Sequence, residues 1–502
     1  MLRTGMVILD TTVLLLYAAV LFTLSIYGLH RWHLLWLARR HAHADTRHLP
    51  LQDPLPRVTV QLPVYNERFV IRRLLRAVCQ LDYPKDRLEI QILDDSTDST
   101  TRLIARMVAR ARRRGFDMRH LHRRQRVGFK AGALAAGHAV ARGEFLAIFD
   151  SDFVPPPHFL KRALPPFADP RVGMVQARWS HINRGRSLLT RLQAIFLDGH
   201  FLVEHLARNR SGRYFNFNGT AGVWRRACID EAGGWQHQTL TEDLDLSYRA
   251  QLRGWRFVFL PDLLAPAELP GRMTSFKSQQ HRWSKGSVQT ARKLLWTILT
   301  SPVPIRVRLE AGFHLTENLA YPLMACLALL LWPSIVIRQR LPHHLFFSLD
   351  LLVFLAAWLS VAAFYLYSQR EAGRRPLESL LAIPALMGLG IGLALNNSRA
   401  VIEALAGHSS PFVRTPKDGR VGNRLPSPTS AAHPRRIGYR SVSGVMPFLE
   451  CLFALYFAIA LVDVTRRGLW AWLPFLVLFF WGFAFTAATS LAEAWRGEAR
   501  QS

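Results

Sequence analysis

The sequence predicts an α/β domain with a parallel sheet, inserted into a multi-pass α-helical membrane domain. Three observations carry that reading. A water-compatible stretch from about residue 57 to 290 lies between apolar segments of membrane length, short aliphatic runs within it alternate with helical patterns, and acids follow directly on two of those runs. The 502 residues, half of them hydrophobic and a fifth charged, suffice for two or three structural units.

The first element is Val7–Leu29, apolar throughout and followed by Arg31, Arg39, Arg40 and Arg47. It is long enough to span and lacks a secretory cleavage site, which predicts an uncleaved transmembrane helix whose far side is cytoplasmic. A Pro-punctuated linker over 49–56 leads into the soluble domain. There RVTVQL (57–62), LEIQIL (88–93) and FLAIF (145–149) read as strands, and 68–80 and 99–114 as helices. Strands alternating with helices favour a parallel sheet, and such sheets bind ligands beyond the carboxyl ends of their strands.

Five further apolar stretches follow, near 313–337, 345–367, 377–395, 445–462 and 469–491. If all crossed, the segment 409–440, rich in arginine, would lie outside, against the positive-inside rule. The expectation is therefore five spans in all, an external N-terminus, and Leu377–Leu395 lying at the inner interface or within protein. The domains expected are 1–48, a first helix and juxtamembrane segment; 49–293, a cytoplasmic domain; and 294–502, a membrane domain with interfacial helices and a loop over 408–440.

The net charge of +29 fits positive-inside bias and attraction to anionic membrane lipids. No nucleic-acid-binding signature accompanies the Arg-rich stretch 102–126, so no nucleic-acid partner is expected. Cys79, Cys228, Cys326 and Cys451 are scattered, which argues against a disulfide framework or a structural zinc site.

Asp150 and Asp152 flank a serine just after a strand, where a loop aims two hard oxygen ligands at one divalent cation, Mg2+ or Mn2+; the alternative is a solvated turn. Asp94 and Asp95 follow another strand. One is expected to cap the following helix, the other to hydrogen-bond the base or ribose of a nucleotide. Asp243, in TED before an amphipathic helix, reads either as a capping-region acid or as a general base. Lys130 suits a diphosphate or is a plain surface lysine. Arg282 and Trp283 offer a phosphate partner and a flat face for a sugar ring, or form a membrane-interface pair.

Together these residues, with VQLPVYNE (60–67), LDDSTD (93–98), FNGTAGVWR (217–225), EAGGW (231–235), TEDLDL (241–246) and QQHRWSKG (279–286), resemble the processive, inverting family 2 glycosyltransferases. Within these the cellulose-synthase-like A mannan and glucomannan synthases are most similar. The resemblance implies a GT-A (Rossmann-like) cytoplasmic domain in which Asp243 is the catalytic base. Asp94, Asp95, Lys130, Asp150 and Arg282 would bind the nucleotide sugar, and Asp150 and Asp152 the metal. Asn218, Gly219, Thr220, Gln279 and Trp283 would bind the acceptor. Phe412, Thr415 and Lys417, in FVRTPKD (412–418), resemble a gating loop, though Arg414 and Pro416 depart from the family pattern.

The expected function is polymerisation of a β-linked hexose polysaccharide from GDP-mannose, UDP-glucose or both, coupled to passage of the chain through the membrane. The expected location is the inner cell membrane, or the Golgi membrane in a eukaryote, with an accessory export subunit as a further partner. Two other readings stay open: a single-addition transferase acting on a lipid acceptor, and a non-catalytic basic membrane scaffold or transporter subunit.

Overall fold

The computed structural model describes residues 2–42, 53–340, 345–408, 419 and 445–498. Its soluble part is built on one sheet of seven strands: β1 (Val58–Val64), β2 (Leu88–Asp94), β3 (Asp117–His122), β4 (Phe145–Ile148), β5 (Val172–His181), β6 (Gly222–Arg225) and β7 (Arg256–Ala267). Their order is β3-β2-β1-β4-β6-β5-β7. Strands β1 to β4 are mutually parallel.

The run FLAIF shows why these strands read as unbroken apolar segments. Phe145, Ala147 and Phe149 enter the core on one face with Val60, Leu74 and Ile90, while Leu146 and Ile148 enter the other with Leu134, Trp224 and Leu246. Helices cover both faces, so neither register needs polar residues.

The expectation of a wholly parallel sheet requires correction, because β6 runs antiparallel to both β4 and β5. The reversal has a chemical consequence. Gly222, the first residue of β6, pairs with Ile148, the last of β4. The loop 218–221 before β6 therefore arrives at the same sheet edge as Asp150–Asp152 after β4. A strand running the other way would leave it at the far edge.

Four helical segments among the described residues are long and apolar enough to cross a membrane: Met6–Arg40, Ile305–Arg338, Met446–Arg466 and Trp470–Trp495. Pro376–Gly392 and Ala394–Leu405, bent by 41°, add a fifth candidate if the pair is one span. These segments make the chain a membrane protein. The glycines of 377–395 form a packing seam: a Cβ at Gly392 would lie 2.4 Å from the Gly482 carbonyl oxygen, so the helices Pro376–Gly392 and Leu473–Glu498 meet backbone to backbone.

Buried ion pairs tie the two parts together. Glu310 takes His30 Nε2 at 3.1 Å from the first helix and Arg208 Nε at 2.9 Å from the helix Leu206–Arg210. Lys277, on the helix Met273–Thr300, donates to Glu450 at 2.5 Å and to Ser490 at 2.7 Å. Removing one member would strand the other's charge away from water, so these pairs fix the register between the sheet domain and the helices.

Candidate active site

β1 has β2 on one side and β4 on the other, so the chain changes winding direction at β1 and opens a crevice beyond its carboxyl end. A cleft of about 180 Å3 occupies that crevice, lined by Tyr65 and Glu67 after β1, Asp95 after β2, Lys130, and Asp150 and Asp152 after β4. Asn218, Gly219, Glu242, Asp243, Gln279, Arg282 and Trp283 close its other side.

Asp95 sits at one end. Arg123 grips both of its oxygens, at 2.8 and 2.6 Å, and Arg126 lies over the Tyr65 ring at 3.5 Å from its centroid. This cationic and aromatic corner has the makeup of a planar, hydrogen-bonding ligand's seat. Asp94 is placed differently from the nucleotide-binding role expected of it. Fully buried, it accepts from the Ser96 N–H at 2.9 Å and contacts His120 Nε2 at 2.9 Å and His122 Nδ1 at 3.3 Å. Those three side chains bring ligand-type atoms within 4.8 Å of one another, and hydrogen bonds account for their arrangement. Asp94 thus locks β2 to β3 and does not line the cleft.

At the cleft's centre Lys130 Nζ lies 2.6 Å from Asp150 Oδ1 and donates to the Gly219 carbonyl at 2.9 Å. Burial lowers the Lys130 pKa, but Asp150, Glu242 and Asp243 outweigh it and hold the ammonium charged. Thr220, buried beneath, accepts the Asp150 N–H on its hydroxyl at 2.8 Å; it shapes the loop and does not line the cleft. Asp150 and Asp152 both line the cleft, on the short loop after β4.

Asp243 lies in the first turn of the helix Glu242–Leu252. Burial and the neighbouring Glu242 carboxylate push its pKa up to about 7, against the pull of Lys130. That places it where a general base works best. Gly219, at φ +80°, holds the loop against it, and a Cβ there would stand 2.8 Å from Asp243 Oδ2.

The helix Met273–Thr300 supplies the remaining wall. Gly286 lets it press on Thr241, whose hydroxyl oxygen would be 2.7 Å from any Cβ at 286. One turn earlier, Arg282 faces the cleft, where burial lowers its pKa against the pull of Glu242, Asp150 and Asp243. Lys285 donates to Glu403 at 2.9 Å, which bonds the same helix to Ala394–Leu405.

Gln279 and Trp283 also line a second cavity, of about 510 Å3, that shares Asn218, Thr241 and Asp243 with the cleft. It runs on among membrane-candidate helices, past Tyr27, Arg31, Tyr321, Leu386 and Phe479. Residues 56–286 match the family model described as glycosyltransferase like family 2. Those residues are a family 2 glycosyltransferase domain.

Over 249 residues the chain is 46% identical to glucomannan 4-beta-mannosyltransferase 2 of Arabidopsis thaliana, across 49% of this chain and 47% of that one. Glucomannan 4-beta-mannosyltransferase 1 of Oryza sativa subsp. japonica is 43% identical, across 54% and 53%. The chain spans about half the length of the curated relatives it matches. A mannosyltransferase from Pyrobaculum calidifontis, solved in complex with GDP-Man and Mn2+, superposes with a TM-score of 0.54 over 80% of this chain and 100% of its own, at 21% identity. At that identity the likeness is one of fold.

The structure thus gathers Asp95, Lys130, Asp150, Asp152, Asn218, Gly219, Asp243, Gln279, Arg282 and Trp283 around one cleft. Phe412, Thr415 and Lys417 lie outside the described residues. Gly419, just beyond them, is at the cleft's rim, where its N–H donates to Glu268 at 3.1 Å. Sequence reading passed over Glu67 and Glu242 as lining residues, although both stand inside motifs it singled out. It passed over Arg123 and Arg126 too, which lie in a stretch noted only for its charge.

Proposed function

We propose that this protein extends a β-linked mannan or glucomannan chain from GDP-mannose and feeds the product into the cavity among its membrane helices. The observation that carries this reading is the place of Asp243, which lines both the donor cleft and that cavity at their junction. An acceptor end lying in the cavity would present its hydroxyl at the donor cleft, and the lengthened chain would have a path already open. The printed names of the relatives support mannose as the sugar, and the fold neighbour's bound ligands support a GDP-linked donor with a divalent cation. The catalytic domain is read as cytoplasmic, where nucleotide sugars are made.

The proposed step is a direct displacement. The acceptor oxygen forms a bond to the anomeric carbon, the bond from that carbon to the diphosphate oxygen breaks, and the hydroxyl proton passes to Asp243. Attack from the face opposite the diphosphate inverts the carbon. Lys130 and Arg282 meet the negative charge that grows on the departing diphosphate. Asp150 and Asp152 would hold Mg2+ or Mn2+, whose role when bound is to neutralise more of that charge. Asp95, with Arg123 and Arg126, would orient the nucleoside, and Trp283 with Gln279 the acceptor sugar.

Two expected results arise here. The base must be deprotonated to act, so with a pKa raised to about 7 the rate at low substrate should fall about tenfold per pH unit below neutrality and level off above it. Glu242 raises that pKa by its charge, so Glu242→Gln should move the profile toward lower pH, as a pH series on both proteins would read. Gly219→Ala should cost roughly 100-fold in turnover, because the new methyl displaces Asp243 from the reacting hydroxyl. Initial-rate assays on the folded variant measure it.

The donor is tested by supplying membranes that contain the protein with labelled GDP-mannose or labelled UDP-glucose, in Mg2+ or Mn2+. Incorporation from GDP-mannose supports the reading. Incorporation from UDP-glucose alone would make the chain a glucan synthase, and none from either would favour a non-catalytic role.

A further inference from the structure

The carboxyl ends of β2 and β3 hold a second group of ligand-type side chains, which the proposed chemistry does not use. Side chains alternate along a strand, so Met118, His120 and His122 share one face of β3. They run from core to water. Met118 is buried in the core with Ile90 and Ile104, while the side chains of His120 and His122 are 16% and 37% exposed. β3 ends the sheet, so that face opens at its edge. The parallel register sets Ile92 opposite His120 and Asp94 opposite His122, which brings the wholly buried Asp94 carboxylate within reach of both rings.

Asp94 Oδ2 lies 2.9 Å from His120 Nε2 and 3.3 Å from His122 Nδ1, and ligand atoms of all three residues fall within 4.8 Å of one another. Hydrogens hold these atoms together, and one cation can take their place. Nitrogen and oxygen ligands about 2.0–2.1 Å from a tetrahedral ion stand about 3.3 Å apart, so the triangle accepts such an ion with small side-chain adjustments. A neutral imidazole carries its hydrogen on either nitrogen. With the hydrogens on His120 Nδ1 and His122 Nε2, both inner nitrogens present lone pairs beside Asp94 Oδ2. The carboxylate also has its outer partner in place, since Oδ1 accepts the Ser96 N–H at 2.9 Å. A buried carboxylate is costly unless a cation meets it. Arg123, the residue after His122, spends its guanidinium on Asp95 instead.

We infer that Asp94, His120 and His122 bind a zinc-type divalent cation that clasps β2 to β3, with a coordination position open to solvent past His122. Two imidazoles and one carboxylate suit Zn2+ and its neighbours, whereas the all-oxygen pair Asp150 and Asp152 suits Mg2+ or Mn2+. The clasp stands directly behind the nucleotide corner. Asp95 follows Asp94, Arg123 follows His122, and the Arg123 N–H donates to the Asp94 carbonyl at 2.9 Å. Fixing the two strand ends fixes the Asp95–Arg123 pair, so an occupied clasp should tighten nucleotide binding and leave the groups around the transferred sugar alone. The cation site itself does not depend on the proposed function; its effect on the nucleotide does.

The test uses the full chain in detergent, stripped with a chelator and returned to excess Mg2+. It is titrated with Zn2+ and, in parallel, with Co2+, whose visible absorption is strong in four-coordinate imidazole sites and weak in six-coordinate oxygen sites. Wild type is expected to take up a single Zn2+ that Mg2+ does not displace, to show the strong Co2+ bands, and to unfold at a higher temperature with Zn2+ than without. His120→Gln and His122→Asn put an amide N–H where the inner ring nitrogen was, so the bond to Asp94 can persist while the metal ligand is lost. Each should unfold like Zn2+-free wild type, bind Zn2+ more weakly by about 10-fold or more, and lose the Co2+ bands. GDP, titrated in Mg2+, should bind wild type several-fold more tightly with Zn2+ than without, and bind each variant equally in both. No Zn2+ uptake by wild type, or Co2+ bands that survive in both variants, would overturn the site. GDP affinity indifferent to Zn2+ in wild type would overturn the clasp's link to the nucleotide. Wild type that binds Zn2+ and GDP as expected but transfers no mannose would overturn the polymerase reading and leave this site standing.

Discussion

Asp243→Asn is expected to lower glycosyl transfer by roughly 10^2- to 10^4-fold while leaving the KM for the nucleotide sugar within a few-fold of wild type. Asparagine has nearly the shape of aspartate, and the contacts that hold this position survive the change. Its side-chain oxygen can still accept the Leu244 N–H, now at 2.9 Å, and the Gly219 loop still packs against it. What disappears is the carboxylate's basicity, which in the proposed mechanism takes the acceptor proton. Lys130 and Arg282, the cations of the cleft, are not touched by the change, so donor binding should persist. A drop in kcat with little change in the donor's KM is the sign of a group that acts in the transition state. Initial-rate kinetics at several donor concentrations give both numbers.

Replacing Asp150 or Asp152 by alanine should be nearly as damaging, with losses of about 10^2- to 10^3-fold, because the cation these residues would hold would supply several kcal/mol of charge stabilisation at the departing diphosphate. The two variants should differ in one respect. Asp150 is also the carboxylate nearest Lys130, at 2.6 Å, and its backbone N–H is held by Thr220. Asp150→Ala frees Lys130 to shift toward Glu242 and Asp243, and should carry a changed pH profile as well as weaker metal activation. Asp152→Ala should show the weaker metal activation alone. Titrating Mn2+ against activity in each variant, at two pH values, separates the outcomes.

Much of this was legible in the sequence because the physics acts locally. FLAIF and LEIQIL announce strands covered on both faces, and the acids at their ends mark the edge where ligands gather. What escaped depends on pairing between distant segments. Asp94 and Asp95 are neighbours in sequence, but side chains alternate along a strand. Asp94, in register with His122 of β3, turns to that strand, and only Asp95 reaches the cleft. The direction of β6 could not be read from four residues, although it delivers Asn218 and Gly219 to Asp243. The glycines at 388, 392 and 482 lie in apolar runs far apart in sequence, and pairing of those runs makes them the contact between two helices.

The cavity that begins at Asp243 carries the claim that transfer and passage through the membrane are one process. The most direct test is the size of the product that membranes containing this protein make from labelled GDP-mannose, compared with membranes containing Asp243→Asn. The account predicts long, alcohol-insoluble chains that β-mannanase digests and that the variant does not make. Label confined to a lipid-extractable product bearing one sugar would contradict it and make the protein a single-addition transferase.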